Sequence, residues 1–353
     1  MNWRTLFFIL LLACPYHHAL AAYPQRNWLS IFPPLLTADA RLRIDREREF
    51  LLRHKGYLEA RLRTAQPLVR HIAAQVDAKG LPSILILLPF IESGYRLDVV
   101  SSAGAAGLWQ LMPATAQRFT VPMQPGFDGR YSLPLATDAA LSYLSWLNQQ
   151  FNGDWLLTLA AYNAGEGRIQ RAQQEQAQMS YWRLLLAEET QRYVPRLLAL
   201  AELIQHPEQH GLLLPDWQYG ANLKVRRLTG PLSLAQLAAQ EGLDERQLAA
   251  LNPAFRQPRL PAGSSHLVLL PGQHGQPRQD KPATPLQPGL DLSAIAPLLP
   301  LDGLQDPLLL QGSHGLDMQG RPGSAASISK GRCEQVPDMR SCLSSGAMKQ
   351  GPS

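Results

Sequence analysis

The sequence predicts a mainly α-helical domain, then a small β-α-α-β unit and a disordered tail. Three observations carry that reading. Apolar residues recur at helical spacing from about Ala38 to Ile204, a stretch that also holds most of the aromatic residues. Residues Asn222 to Pro271 give strand, helix, helix and strand signals in that order. From Gly272 onward the last 82 residues contain no Phe, Trp or Tyr, and 11 Gly with 10 Pro take up about a quarter of them. The expected divisions are therefore 1–21 as a targeting segment, 38–207 as the main domain, 222–271 as the small unit and 272–353 as tail.

Composition narrows the function classes. A hydrophobic share of 45% is ample for a core, so wholesale disorder is excluded. Charged residues make up only 17%, which argues against a nucleic-acid binder, while the net charge of +5 suits an anionic polymer. Three cysteines are too few for a disulfide scaffold, and Cys333 and Cys342, both in the tail, could close no more than a small loop there.

At the N-terminus, Arg4 precedes the apolar run Leu6 to Ala13, and Ala19-Leu20-Ala21 follows. A charged start, a short apolar core and an Ala-x-Ala site form a secretory signal, and the run is too short to span a bilayer as a mature helix. Leu11-Leu12-Ala13-Cys14 offers a competing outcome, a bacterial lipobox with Cys14 lipidated. Leu12 and Pro15 fit that motif poorly, so cleavage after Ala21 and a soluble envelope protein is the preferred reading, with outer-membrane attachment through Cys14 as the other.

Element by element, Asp39 to Arg63 reads as a charged amphipathic helix with Leu42, Phe50, Leu51 and Leu58 facing inward. Leu68 to Val76 continues the pattern until Gly80 stops it, and Pro82 opens the next helix where no N–H is needed. Ser83 to Ile91 is apolar on every side, so it is a buried helix, although so short a run also fits a strand. Ser101 to Gln110 is Gly-rich and irregular. A helix runs from Asp138, read as its cap, to Asn152-Gly153; Asp154 caps another through Tyr162, and a last one covers Glu188 to Ile204.

The candidate chemistry starts with Glu92. It directly follows the apolar run and precedes Ser93-Gly94, where the backbone turns away. A carboxyl there loses hydration and meets the negative end of the helix dipole, and both raise its pKa. A carboxylic acid still protonated near neutral pH can protonate a leaving-group oxygen. A water-exposed Glu at a helix end is the plain alternative on position alone. Amides and phenols gather further along, in Gly107-Leu108-Trp109-Gln110-Leu111-Met112-Pro113, in Ala161-Tyr162-Asn163-Ala164-Gly165 and around Tyr193. One buried acid among amides and phenols suits a neutral polyhydroxylated substrate bearing N-acetyl groups. No metal-ligand spacing such as His-Glu-x-x-His appears, and His206 and His210 flank Pro207 in what reads as a solvated loop. Neither a Gly-x-Ser-x-Gly elbow nor a phosphate loop is present, and no cofactor is expected.

In this order, Glu92-Ser93-Gly94, Ser102 through Pro113, Ala161 to Gly165 and Tyr193 resemble the family 1 lytic transglycosylases over residues 40 to 205. The Trp109-Gln110 pair, Asp154-Trp155-Leu156-Leu157 and Gly165-Glu166-Gly167-Arg168 are similar to the membrane-bound lytic transglycosylase D branch. The resemblance implies a lysozyme-like fold and cleavage of the MurNAc–GlcNAc β-1,4 bond of peptidoglycan strands with a 1,6-anhydro product. It implies Glu92 as the single acid/base, with Gln110, Met112, Tyr162, Asn163 and Tyr193 lining the glycan groove and Ser93 and Ser102 as further contacts. A hydrolase of goose-lysozyme type and a non-catalytic wall-binding protein are the alternatives, and a monomer without nucleic-acid partners is expected. Leu223 to Pro271 resembles a LysM glycan-binding module, except that Thr229-Gly230-Pro231-Leu232 replaces the usual Gly-Asp-Thr/Ser turn. That departure leaves two roles open for the unit, glycan binding or packing against the main domain.

Overall fold

The computed structural model describes residues 26–30, 36–217, 221–229, 233–257 and 265–274. The targeting segment, Cys14, Cys333, Cys342 and nearly all of the tail lie outside the described residues.

The main domain opens with α1 (Ala38–Arg53), α2 (Lys55–Thr64) and α3 (Gln66–Ala78). Thr37 caps α1 by accepting the Ala40 amide at 3.2 Å. The single helix expected over Asp39 to Arg63 is thus broken at His54, whose ring Nδ1 lies 2.9 Å from the Phe50 carbonyl. Leu42, expected inside, is 49% exposed, and Phe50 is only half-buried. The inward stripe is Ala40, Ile44, Glu47 and Leu51. It is turned because Glu47 enters the interior to meet two arginines of a later helix, a partnership that hydrophobic periodicity cannot register.

Ser83–Leu87 forms a 3-10 turn that runs straight into α4 (Leu88–Ser93). The backbone is helical throughout, which decides for helix over strand, and every residue from Ile84 to Phe90 is buried. Each such aliphatic or aromatic side chain contributes roughly 1.5–3 kcal/mol on burial, so this short stretch anchors the domain centre. Gly94 ends α4 with a left-handed backbone (φ 59°), and a Cβ there would lie 2.6 Å from the Tyr57 hydroxyl.

After the irregular stretch come α5 (Pro113–Arg118), the hairpin of β1 (Met123–Gln124) and β2 (Phe127–Asp128), and α6 (Leu133–Gln150). Helix α6 begins before Asp138. Pro134 occupies its first turn, where no N–H is required, and Asp138 is an exposed residue paired with Lys79 at 2.9 Å, not a cap. Helix α7 (Trp155–Ala164) is capped as expected: the Asp154 carboxylate accepts the Leu156 and Leu157 amides at 2.9 and 3.1 Å. Helices α8 (Glu166–Glu175) and α9 (Glu188–Gln205) follow. Helix α9 is the hub of the domain, packing on α1, α7, α4 and the 3-10 turn before it.

The small unit has the expected order. Strand β3 (Ala221–Thr229) pairs antiparallel with β4 (Ser265–His274), with Val225 opposite Leu269, and α10 (Leu234–Glu241) and α11 (Glu245–Leu251) lie between them in sequence. Ser233 and Gln236 form a reciprocal capping box on α10. Buried Asn252 donates to the Leu248 and Leu269 carbonyls and accepts the Leu269 amide, tying α11 to β4. Strand β4 runs on to His274, past the expected boundary at Pro271.

Candidate active site

Helix α4 delivers Glu92 at the end of the apolar run, and α9 brings Tyr193 across to it. The Tyr193 hydroxyl donates a hydrogen bond to Glu92 Oε1. Burial pushes the Glu92 carboxyl from its ordinary 4.5 up to about 8; the Tyr193 bond pulls the other way, and the nearby Glu189 charge adds to the rise. The residue still keeps some exposure, so the acid is dehydrated without being sealed off. Tyr162 and Tyr193 are held protonated by burial first and by the Glu92 charge second. Both phenols are therefore fixed hydrogen-bond donors around one acid. The raised pKa expected from position is present, and lost hydration is its main cause.

The Gly-rich stretch is stitched to α7 and to α4. Tyr162 donates to the Trp109 carbonyl at 2.8 Å, and Ser93 donates to the Leu108 carbonyl at 2.8 Å. Trp109 itself is fully buried, its indole donating to Thr137 at 2.9 Å. Gln110 adopts positive φ (46°), and its amide donates to the Gly107 carbonyl at 2.8 Å. Met112, two residues further on, is 42% exposed. Gly107 is required here: its φ is +75°, and a Cβ would sit 2.0 Å from the Arg130 carbonyl oxygen.

Ser93 is buried, with its hydroxyl shared between the Pro89 and Leu108 carbonyls, so it acts as a staple between α4 and the loop and offers no surface to a ligand. Ser102 is exposed in the turn before Gly104. Asn163, at the end of α7, donates to Glu189 Oε1 at 2.9 Å and accepts the Thr190 hydroxyl at 2.8 Å.

Glu189 is the site residue that reading the sequence for single motifs leaves out. It stands one turn before Tyr193 on α9, so helical spacing places the two on one face. Glu166 was legible only as motif wording. It accepts the Tyr143 hydroxyl at 2.9 Å and pairs with Arg118 at 3.1 Å, beside the contact of Tyr143 with Tyr162 (ring centroids 5.6 Å). Two further acids, Asp98 and Asp128, face Arg96 at 3.7 Å and Arg130 at 2.7 Å. Among the described residues no group of His, Cys, Asp and Glu is arranged to hold a metal ion.

Comparison with known proteins bears on this geometry. A transglycosylase SLT domain matches residues 71–185, which include Glu92, the Gly-rich loop and α7. A lytic transglycosylase MltD LysM-like domain matches residues 223–285. The chain belongs to the family 1 lytic transglycosylases. As such it has a lysozyme-like main domain followed by a LysM-like unit. The membrane-bound lytic murein transglycosylase D of Escherichia coli K12 is 32% identical over 264 residues, covering 74% of this chain and 58% of its own length. The chain thus spans little more than half of that relative. The soluble lytic murein transglycosylase of the same organism is 38% identical over 86 residues, 22% of this chain and 13% of the relative. The 70 kDa soluble lytic transglycosylase of Escherichia coli, among solved structures, is 28% identical over 36% of this chain and 22% of its own, with a TM-score of 0.30. Glu47 and Tyr193 lie on either side of the SLT match, so the helices that clamp and complete the site extend beyond it.

Proposed function

We propose that this lytic transglycosylase cleaves the MurNAc–GlcNAc β-1,4 bond of peptidoglycan and leaves a 1,6-anhydroMurNAc end. The observation that carries the reading is Glu92, a dehydrated carboxyl whose pKa is raised to about 8 and which is held by a phenol that stays protonated. Near neutral pH it is a carboxylic acid and can give its proton to the glycosidic oxygen as the bond to the MurNAc anomeric carbon breaks. The substrate's own 2-acetamido oxygen stabilises the developing cation, one of the exceptions to the two-carboxylate scheme. Glu92, now ionised and accepting the Tyr193 bond, removes the proton of the MurNAc C6 hydroxyl. That oxygen closes on the anomeric carbon, the carboxyl is restored and no water is consumed. Gln110, Met112, Tyr162 and Asn163 are the residues this reading assigns to the glycan groove, with Ser102 as a further contact.

A hydrolytic muramidase is the competing chemistry, and Glu189 is the observation that keeps it in view, since a second carboxylate could orient water. The two reactions differ in product mass. Digestion of purified sacculi should release muropeptides lighter by one water than hydrolytic products, and release should fall at least about 100-fold in Glu92→Gln, the scale of losing a general acid. Hydrolytic masses, or full activity in a folded Glu92→Gln protein, refute the proposal. The substrate lies in the bacterial envelope, and the apolar run Leu6 to Ala13 with Ala19-Leu20-Ala21 supports export. The intact mass of the mature protein then separates a soluble form starting after Ala21 from one acylated at Cys14. No described helix is long and apolar enough to cross a membrane.

A further inference from the structure

The seam between the LysM-like unit and the main domain contains more than incidental packing. Residues after α11 lie along the β1–β2 hairpin through a short antiparallel bridge: Phe255 bridges Phe127, the Asp128 amide donates to the Ala254 carbonyl, and the Arg256 amide donates to the Gly126 carbonyl, the last two at 2.9 Å. Phe127, Phe255 and His266 form an aromatic triangle with centroid separations of 5.0, 4.8 and 5.5 Å. The Arg256 guanidinium lies 3.9 Å from the Tyr131 ring centroid.

From the hairpin the contacts continue into the Gly-rich loop. Ala106, Phe127, Tyr131 and Ala254 make one buried cluster, so the Gly-rich loop touches the LysM-like unit through it. Arg130, held by Asp128 at 2.7 Å, donates to the Gly104 carbonyl at 2.7 Å and the Leu111 carbonyl at 3.4 Å. Ala106 and Leu111 exchange both backbone hydrogen bonds at 3.1 Å, closing the loop that presents Gln110. Every link from Ala254 to Gln110 is a hydrogen bond or a buried contact.

We propose that the LysM-like unit is an intramolecular brace, whose 254–256 segment extends the hairpin and thereby holds the loop carrying Gln110 and Met112 in its substrate-binding shape. The residues doing this, Phe255 and Arg256, are positioning residues: they reach the groove through Phe127, Tyr131 and Arg130. The role accounts for a unit that lacks the usual LysM turn yet makes backbone bonds to its neighbour. Its kinetic consequence rests on the transglycosylase reading; its structural consequence does not.

The test uses the full chain with Phe255→Ala and, as the milder change on an exposed side chain, Arg256→Ala. Arg226→Ala is the control, because it breaks a pair with Glu241 within the unit and leaves the seam intact. Both seam variants should speed amide exchange at Gln110 and Leu111. Both should raise KM on glycan fragments about three- to tenfold, the scale of losing one aromatic or cation–π contact, with kcat within about twofold of the parent. The control should move neither. Unchanged exchange across 104–111 while residues 221–274 exchange faster overturns the brace, as does an unchanged KM in the active seam variants. If the parent protein forms no anhydro product, the transglycosylase reading fails while the exchange measurement still decides the brace.

Discussion

Removing one oxygen from Tyr193 should move the pH dependence of the enzyme upward. Tyr193 is buried, so Tyr193→Phe keeps the ring and its packing and deletes only the donor to Glu92. Among the influences on Glu92, burial raises its pKa, the Tyr193 bond lowers it and Glu189 raises it. Deleting the lowering influence therefore drives the pKa further up. A hydrogen bond to a charged group contributes about 1.5–3 kcal/mol, and one pKa unit is about 1.4 kcal/mol, which gives a rise of about 1–2 pH. The group acts first as an acid, so activity belongs to its protonated form and is lost as pH rises through its pKa. The alkaline limb of kcat/KM, at about 8 in the parent, should move up by that amount. The assay is anhydromuropeptide release from a soluble glycan fragment between pH 5 and 11, with kcat/KM fitted at each pH. A limb that stays in place or moves down refutes the assignment of Glu92 as the acid or of Tyr193 as its donor.

Glu189→Gln should shift the same limb downward, since it removes a charge that raises Glu92, and the smaller contribution of that charge predicts a smaller displacement than in Tyr193→Phe. Glu92→Gln should be more stable than the parent above pH 8 and nearly equal below pH 4.5: through that window the native state holds a proton the unfolded chain releases, an accumulated difference of about 2–5 kcal/mol readable from Tm against pH. A Gln variant that is no more stable at pH 9 contradicts the buried-acid description. Gly107→Ala should cost about 2 kcal/mol or more in urea unfolding, because its Cβ would lie 2.0 Å from a backbone oxygen and its φ is +75°. A neutral substitution there would mean the loop is free to shift.

The features legible in the sequence are those set by neighbours along the chain. Asp154 capping α7, Gly94 following Glu92, and Ser233 with Gln236 opening α10 are local choices, and the hydrophobic run Ile84 to Phe90 forces burial whatever surrounds it. Contacts made across long separations left no such signal. The outward turn of Leu42 goes with Glu47 pointing inward toward α9, and a glutamate in a helix reads as solvent-facing by composition. Asp138 looked like a cap because Asp often is one, whereas Pro134 allowed α6 to start earlier. The candidate site residues were chosen by motif and position, but Ser93 proved to be a staple, and Glu189 needed the helical spacing to Tyr193 to be noticed. The seam at Phe127 and Phe255 joins segments with no shared periodicity at all.

The clamp on α9 follows from the geometry of a one-acid site. Such a site depends on the relative placement of two helices, because the acid comes from α4 and its donor from α9. Sliding α9 by one turn would carry Tyr193 about 5.4 Å along its axis, far outside hydrogen-bond reach of Glu92. Apolar packing alone resists such a slip weakly, since Leu and Ala repeat along the inner face of the helix and neighbouring registers bury similar area. Glu47 supplies what packing lacks. Its two carboxylate oxygens each accept a different arginine Nε, Arg192 at 2.6 Å and Arg196 at 2.7 Å, so only one register satisfies both. Arg192 directly precedes Tyr193 and Arg196 stands three residues after it, and Arg196 also lies 4.9 Å from the Phe50 ring centroid on α1. A buried ion pair of this kind adds little net stability against an apolar replacement, but breaking one partner leaves charge stranded, which penalises every other register. The ion triad is thus a register device, and the distance it protects is the one between Tyr193 and Glu92.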